Sequence, residues 1–218
     1  MCSIQKDFTI IPNSIDLESF SRNEALAKQA NTILYFGTLI RKKGSLELPL
    51  IFNEVYQANP KSKLIIIGRD ASDVVTGNSS VWQMMQPLFD KAAFENVYYL
   101  GSVPYETIKE HINKAAVCVF PTFAEALPVS WIEAMAMQKA IVASAIGWAE
   151  EVIDDAENGF LVQPTTHQLY ADKIVTLLND ASLRNEFGLK ARQKVSQKFS
   201  IEVVAQQSVA FYQKLLKR

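Results

Sequence analysis

The chain has 218 residues, 49% hydrophobic and 21% charged, with mean hydropathy +0.03, which suits one compact soluble domain or one domain with a small appendage. Its 22 basic and 23 acidic residues give a net charge of -1, so there is no global field for nucleic acid or an anionic membrane, and any anion site must be local. Cys2, Cys118, His111 and His167 are too few and too scattered for a disulfide framework or an all-protein transition-metal site, and a reducing cytosol is the simplest setting.

The first residues, MCSIQKDFTIIPNSID, lack the apolar region of a secretory leader, and no apolar run approaches the roughly 18 residues that span a bilayer. A peripheral membrane contact stays open. NTILYFGTL (31–39) reads as a strand, and after KKG a helix is expected from Ser45 to Ala58, with Leu46, Leu50, Ile51 and Val55 on one face. KLIIIG (63–68) reads as a central parallel strand, apolar on both faces. A polar loop containing GNSS precedes an expected helix over 81–93. VYYLGSV (97–103) is the third strand, and Pro104 opens a helix through Ala115. AVCVFPT (116–122) is the fourth strand, followed by a helix from Pro128. KAIVAS (139–144) and GFLV (159–162) complete six strands. From Thr166 the pattern is helical: Tyr170, Ile174, Leu177 and Leu178 share a face, Ser182 is placed to cap a helix to Lys198, and Ile201 to Leu216 carries Val204, Phe211 and Leu215 at helical spacing.

This alternation predicts an α/β fold: a Rossmann-like parallel sheet of about six strands, helices on both faces, and additional C-terminal helices. Ligands of such sheets bind at the carboxyl ends of the strands. Attention therefore falls on Gly37 to Gly44, Gly68 to Asp70, Gly101 to Pro104, Pro121 to Val129 and Ser144 to Gly147.

Within FAEALPVSWIEAMAMQKAIVAS, Glu125 and Glu133 are separated by seven residues, with Pro128 between them. A helix starting at Pro128 offers unsatisfied N–H groups and the positive end of its dipole to an anion. Glu125 would precede that site, and Glu133 would lie about 8 Å along the helix. Carboxylates accept from vicinal hydroxyls, so a sugar–diphosphate–ribose ligand suits the layout. The plainer alternative is a glutamate at a helix N-terminus and a solvated or ion-paired helical one. RKKG (41–44), at the mouth of the first strand, could neutralise a diphosphate or be a solvated basic loop. No GxGxxG, GxxxxGK[ST] or GxSxG is present, which removes the main support for a dinucleotide oxidoreductase, a P-loop NTPase or an α/β-hydrolase. His111 and His167 read as surface residues, and Trp82, Trp131 and Trp148 as packing residues.

Taken in order, IIPNSID, YFGTLIRKKG, KLIIIG, YLGSVP, FPTFAEALPVSWIEAMAMQKAIVAS and ENGFLV resemble the C-terminal, donor-binding half of the family 4 retaining glycosyltransferases of the GT-B fold. The resemblance covers nearly the whole chain. It implies that Glu125 contacts hydroxyls of the donor sugar, that Glu133 holds the ribose hydroxyls, that backbone N–H groups in the loop Ala126-Leu127-Pro128 meet the sugar or phosphates, and that Lys43 meets the diphosphate. Gly37, Thr38, Arg41, Gly68 and Val103 complete the implied donor site, with Gly101 to Pro104 against the base, and Glu125 and Lys43 are its implied catalytic residues. Relatives often carry an arginine where this chain has Thr38, with Arg41 as a candidate replacement, and often Gly-Phe-Gly where it has Ala126-Leu127-Pro128.

The implied ligand is a UDP- or GDP-linked sugar, transferred with retention and without a metal or other cofactor. The acceptor would be a glycan or lipid-linked glycan of cell-envelope polysaccharide synthesis, and the setting the cytoplasm, with the full-length enzyme at the inner membrane face. The expected layout is a single donor-binding domain over 1–218: interdomain-linker residue over 1–20, the Rossmann-like core over 30–180 and C-terminal helices over 182–218. The acceptor domain of relatives is expected to be missing, so this chain alone should transfer little. Two other readings remain: a nucleotide-sugar epimerase or hydrolase half of the same fold, and a non-catalytic docking domain.

Overall fold

A computed structural model describes residues 9–23, 25 and 29–216. Cys2 and the start of the expected linker region lie outside the described residues. Six strands, β1 (Thr32–Phe36), β2 (Lys63–Ile67), β3 (Val97–Tyr99), β4 (Val117–Phe120), β5 (Ala140–Ser144) and β6 (Phe160–Val162), form one parallel sheet in the order β3-β2-β1-β4-β5-β6. β1, β4 and β5 are buried along their whole length, as expected of strands covered on both faces.

Side-chain alternation sends each strand into two cores. Ile33, Tyr35, Leu64, Ile66, Val117, Val119 and Val142 face a layer built on α1 (Glu47–Ala58), α2 (Val81–Met85), α3 (Lys91–Phe94) and α7 (His167–Asn179). Leu34, Phe36, Ile67, Cys118, Phe120 and Ile141 face α4 (Tyr105–Lys114), α5 (Val129–Ala136), α6 (Ala149–Val152) and one side of α8 (Ala181–Lys198). The period-2 pleat thus produces the doubly covered sheet expected from the sequence.

Four local expectations need correction. The single helix over 81–93 is broken: α2 ends at Met85, a 3-10 turn spans Gln86–Leu88, Phe89 is extended, and α3 begins at Lys91. Pro87 explains the break, because it lacks the N–H that a continuous helix needs and its ring crowds the preceding turn. The buried face of α1 is Leu48, Ile51, Phe52 and Val55, whereas Leu46 and Leu50 are only half-buried. Asp180, not Ser182, caps α8: its Oδ1 accepts the Leu183 N–H at 2.9 Å, the reach of a carboxylate one residue before the first turn. In α9 (Ile201–Leu216) only Val204 of the expected stripe is buried, and Leu215 is exposed.

Two cations, Lys139 buried and Arg192 half-buried, close helix ends that the sequence leaves open. Lys139 Nζ donates to the carbonyls of Asn113 (2.5 Å) and Ala115 (3.0 Å) at the end of α4. Arg192 donates to the carbonyls of Ala136, Phe20 and Leu17, tying α5 and the segment before β1 to α8. Among the described residues no helix is long and apolar enough to cross a membrane.

Candidate functional site

The strand order reverses between β1 and β4, the place at a sheet's carboxyl edge where ligands of such folds bind. After β1 the chain turns through Gly37 and Thr38 into a 3-10 turn over Arg41–Lys43, closed by Gly44 in the left-handed conformation (φ 69°). After β4 it runs through Pro121–Pro128 into α5. The two loops are stitched together: the Lys42 carbonyl accepts the Phe123 N–H at 2.9 Å and the Thr122 hydroxyl at 3.2 Å. Gly44 packs so tightly on this seam that an added Cβ would lie 1.7 Å from the Pro121 carbonyl oxygen. Only glycine satisfies both that contact and that φ.

The seam fixes Lys43 opposite Glu125, Nζ to Oε1 3.2 Å. Together with Tyr35, Pro128, Ser130 and Trp131 they line one depression above β1 and β4. Tyr35 is buried, donates to the Thr38 carbonyl at 3.3 Å, and burial pushes its hydroxyl far above the usual tyrosine range. Gly37 faces Lys43, whose Nζ would be 3.7 Å from an added Cβ. Gly68, directly after β2, packs against Gly37 with room for no side chain: a Cβ there would lie 1.9 Å from the Gly37 carbonyl oxygen.

Pro128 is the N-cap of α5 rather than its first residue, so the unpaired N–H groups of the first turn begin at Val129. The depression and these donors converge on the helix end, an arrangement suited to an anion. Ala126 is exposed, Leu127 is half-buried, and the Leu127 carbonyl accepts from the Asn13 side chain at 3.1 Å. A second recess, of about 950 Å³, is lined by Ile10, Pro12, Asn13, Leu127 and Trp148, among others.

Glu133 lies in the second turn of α5 and is 5% exposed. Burial raises its carboxyl above the usual glutamate range, opposed by a hydrogen bond that its Oε1 accepts from the Tyr105 hydroxyl. Tyr105 is the first residue of α4, directly after the turn Gly101 to Pro104, and Val103 packs against the α4–α5 core. Sequence reasoning missed Tyr105 and Tyr35. The first was signalled by its place after Pro104 at a strand's carboxyl end, and the second by its inward register in β1.

Arg41 stands apart from this group. Its guanidinium makes a two-pronged bond to Asp73, at 3.0 and 2.8 Å, and Asp73 also accepts the Thr76 hydroxyl (2.7 Å) and N–H (3.0 Å). These bonds, Arg41 first, hold the Asp73 carboxyl far below the usual range. His111 and His167, expected at the surface, are half-buried, and His167 Nε2 lies 2.6 Å from Glu47 Oε2. Cys118 is buried, which pushes its thiol up to about 12. Among the described residues no cluster of three His, Cys, Asp or Glu side chains is placed to hold a metal ion.

The pattern of the family described as glycosyl transferases group 1 matches residues 16–194. Among curated proteins, the chain is 27% identical over 220 residues to the capsular polysaccharide biosynthesis glycosyltransferase CapM of Staphylococcus aureus, covering 94% of this chain and 54% of that protein. Among solved structures, sucrose-phosphate synthase from Thermosynechococcus elongatus superposes with a TM-score of 0.81 at 26% identity, over 95% of this chain and 52% of that one. Anabaena Alr3699/HepE, solved with UDP and glucose, superposes with a TM-score of 0.79 at 21% identity, over 94% and 56% of the two chains. The chain spans about half the length of the curated relatives it matches.

Proposed function

The chain belongs to the group 1 glycosyl transferases, and from that premise we propose that it binds a nucleotide-diphosphate sugar in the β1–β4 crevice as the donor domain of a retaining transferase. The observation that carries this reading is the convergence of Lys43, Glu125 and the first turn of α5 at the point where the strand order reverses.

In this reading Lys43 and the α5 N-terminus neutralise the diphosphate, Glu125 accepts from sugar hydroxyls, and Glu133 accepts from the ribose. Gly37, Thr38 and the backbone of Ala126 to Pro128 line the path of the phosphates and sugar, and the turn Gly101 to Val103 lies against the base. The bond from the anomeric carbon to the diphosphate oxygen breaks and its electron pair leaves with the diphosphate. A bond from the acceptor hydroxyl forms on the same face, and the acceptor proton passes to the departing phosphate. Lys43 assists by stabilising charge that grows on the leaving oxygen. No metal is needed in this scheme. The role expected of Arg41 on the diphosphate requires it to leave Asp73.

Transfer also needs an acceptor held against the anomeric carbon. We assign that task to a second Rossmann-like domain and the acceptor to a cell-envelope glycan or lipid-linked glycan, handled at the cytoplasmic membrane face. Calorimetric titration with UDP and GDP tests the reading. One of the two should bind, and Lys43→Ala or Glu133→Ala should abolish or strongly weaken it; failure of both nucleotides to bind the intact chain would overturn it.

A further inference from the structure

Tyr105 has no task in the scheme above, yet its hydroxyl is bonded to the carboxylate assigned to the ribose. We propose that Tyr105 gates the ribose clamp: its phenol occupies the Glu133 oxygen that one hydroxyl of an incoming ribose must take, so it lowers affinity for the cis-diol. This rests on the reading of Glu133 as the ribose acceptor.

The two partners differ in how easily they can yield. Glu133 is 5% exposed and held in α5, whereas Tyr105 is 50% exposed at the first position of α4. The Tyr105 ring is braced by one aromatic contact, an edge-on approach of Phe20 at 5.7 Å. Among the described residues the Tyr105 hydroxyl is the one hydrogen-bond donor to the Glu133 side chain. The second carboxylate oxygen is not sealed, since Ser62 Oγ is the only buried side-chain polar atom without a partner among those residues. Glu133 therefore has one oxygen taken by Tyr105 and a second that keeps some contact with the surface.

A vicinal diol matches a carboxylate best when each hydroxyl takes one oxygen. A ribose can do so only if the phenol moves off Oε1, whereas a sugar with a single hydroxyl can use Oε2 and leave Tyr105 in place. Removing the phenol should therefore favour the diol and leave the single hydroxyl nearly indifferent. It also strands a buried carboxylate without a donor, which the diol then satisfies.

The test is calorimetry on the full chain with UDP, GDP and the 2′- and 3′-deoxy forms of whichever binds. Wild type, Tyr105→Phe, Glu133→Gln and the double variant are compared. Tyr105→Phe keeps the ring and its Phe20 contact, and an unchanged melting temperature will show that the fold is kept. It should bind the ribonucleotide about three- to tenfold more tightly, with less than about a twofold gain for the deoxy forms and none when Glu133 is Gln. If neither nucleotide binds the wild type, the donor-site reading fails and the gate fails with it. If a nucleotide binds and Glu133→Gln weakens it, while Tyr105→Phe is neutral or harmful, the donor site stands and the gate alone is wrong. A gain that survives in the double variant, or is equal for the deoxy forms, also overturns the gate.

Discussion

Lys43 Nζ lies 3.2 Å from Glu125 Oε1 across the seam between the β1 and β4 loops, two residues 82 positions apart that only the sheet order makes neighbours. Their side chains are 29% and 18% exposed, so the pair contributes at most about 1 kcal/mol to folding. Its expected effect is on binding. Lys43→Ala should weaken a nucleoside diphosphate by roughly tenfold or more, since a hydrogen bond to a charged group is worth about 1.5–3 kcal/mol. Glu125→Gln should leave the diphosphate within about twofold and weaken the intact nucleotide sugar, as measured by parallel titrations. Equal losses for both ligands would remove Glu125 from the sugar.

Gly44 holds that seam closed. Its φ of 69° and the 1.7 Å that would separate an added methyl carbon from the Pro121 carbonyl oxygen leave an alanine no place. Gly44→Ala should destabilise the chain by about 3 kcal/mol or more, a fall of roughly 6–12 °C in Tm, and separate Lys43 from Glu125. Gly77→Ala is the control: φ is 74° but no atom lies within 4 Å of the added carbon, so its loss should be near 1 kcal/mol. Thermal melts of the two variants should differ clearly. A small effect at Gly44 would mean that the β4 loop yields easily and does not fix the site.

The sheet was legible because buried parallel strands are short, continuous apolar runs that composition alone marks, as in KLIII and AIVAS. The crevice was legible too, since motifs such as RKKG and FAEALP sit at strand ends that topology must bring to one edge. What was hidden depends on three-dimensional partners. Nothing in the sequence near Arg41 pointed to Asp73, 32 positions away, and nothing near Glu133 pointed to Tyr105. Spacing likewise could not foresee the half-buried Leu50, because the facing helix α7 decides which side of α1 is covered. Pro87 was readable in principle, and the apolar periodicity of 81–93 masked it.

Glu133 carries a pH signature. Burial raises its native pKa above the unfolded value of about 4.3, so the native state holds more protons than the unfolded state between the two values. Its contribution to stability is therefore present below about pH 4.3 and is lost as pH rises through the native value. Glu133→Gln should remove that acid-side slope and equal or exceed the wild type in stability at neutral pH. Nucleotide affinity should move the opposite way, because the ionised carboxylate is the better acceptor: as pH falls it should drop more steeply in the wild type than in Glu133→Gln, the protonation of the terminal phosphate being common to both. Melting curves and titrations run from acid to neutral pH on wild type and Glu133→Gln check both signs.

Arg41 and Lys43 are two residues apart in one basic turn, and their partners predict opposite phenotypes. Asp73 is 2% exposed and takes both prongs of the Arg41 guanidinium, so Arg41→Ala leaves a buried carboxylate with Thr76 as its one remaining partner among the described residues and loosens the loop from Asp70 to Ser80. The expected result is a Tm lower by several degrees with nucleoside diphosphate affinity within about threefold, the reverse of Lys43→Ala. Because the Asp73 pKa is depressed in the folded chain, the stability it contributes is present above about pH 3.9 and is lost as pH falls. The gap between wild type and Arg41→Ala should therefore be widest near neutrality and narrow in acid. If instead Arg41→Ala weakens the nucleotide as much as Lys43→Ala and leaves Tm unchanged, Arg41 must abandon Asp73 when the ligand binds, and the diphosphate has two cationic partners rather than one.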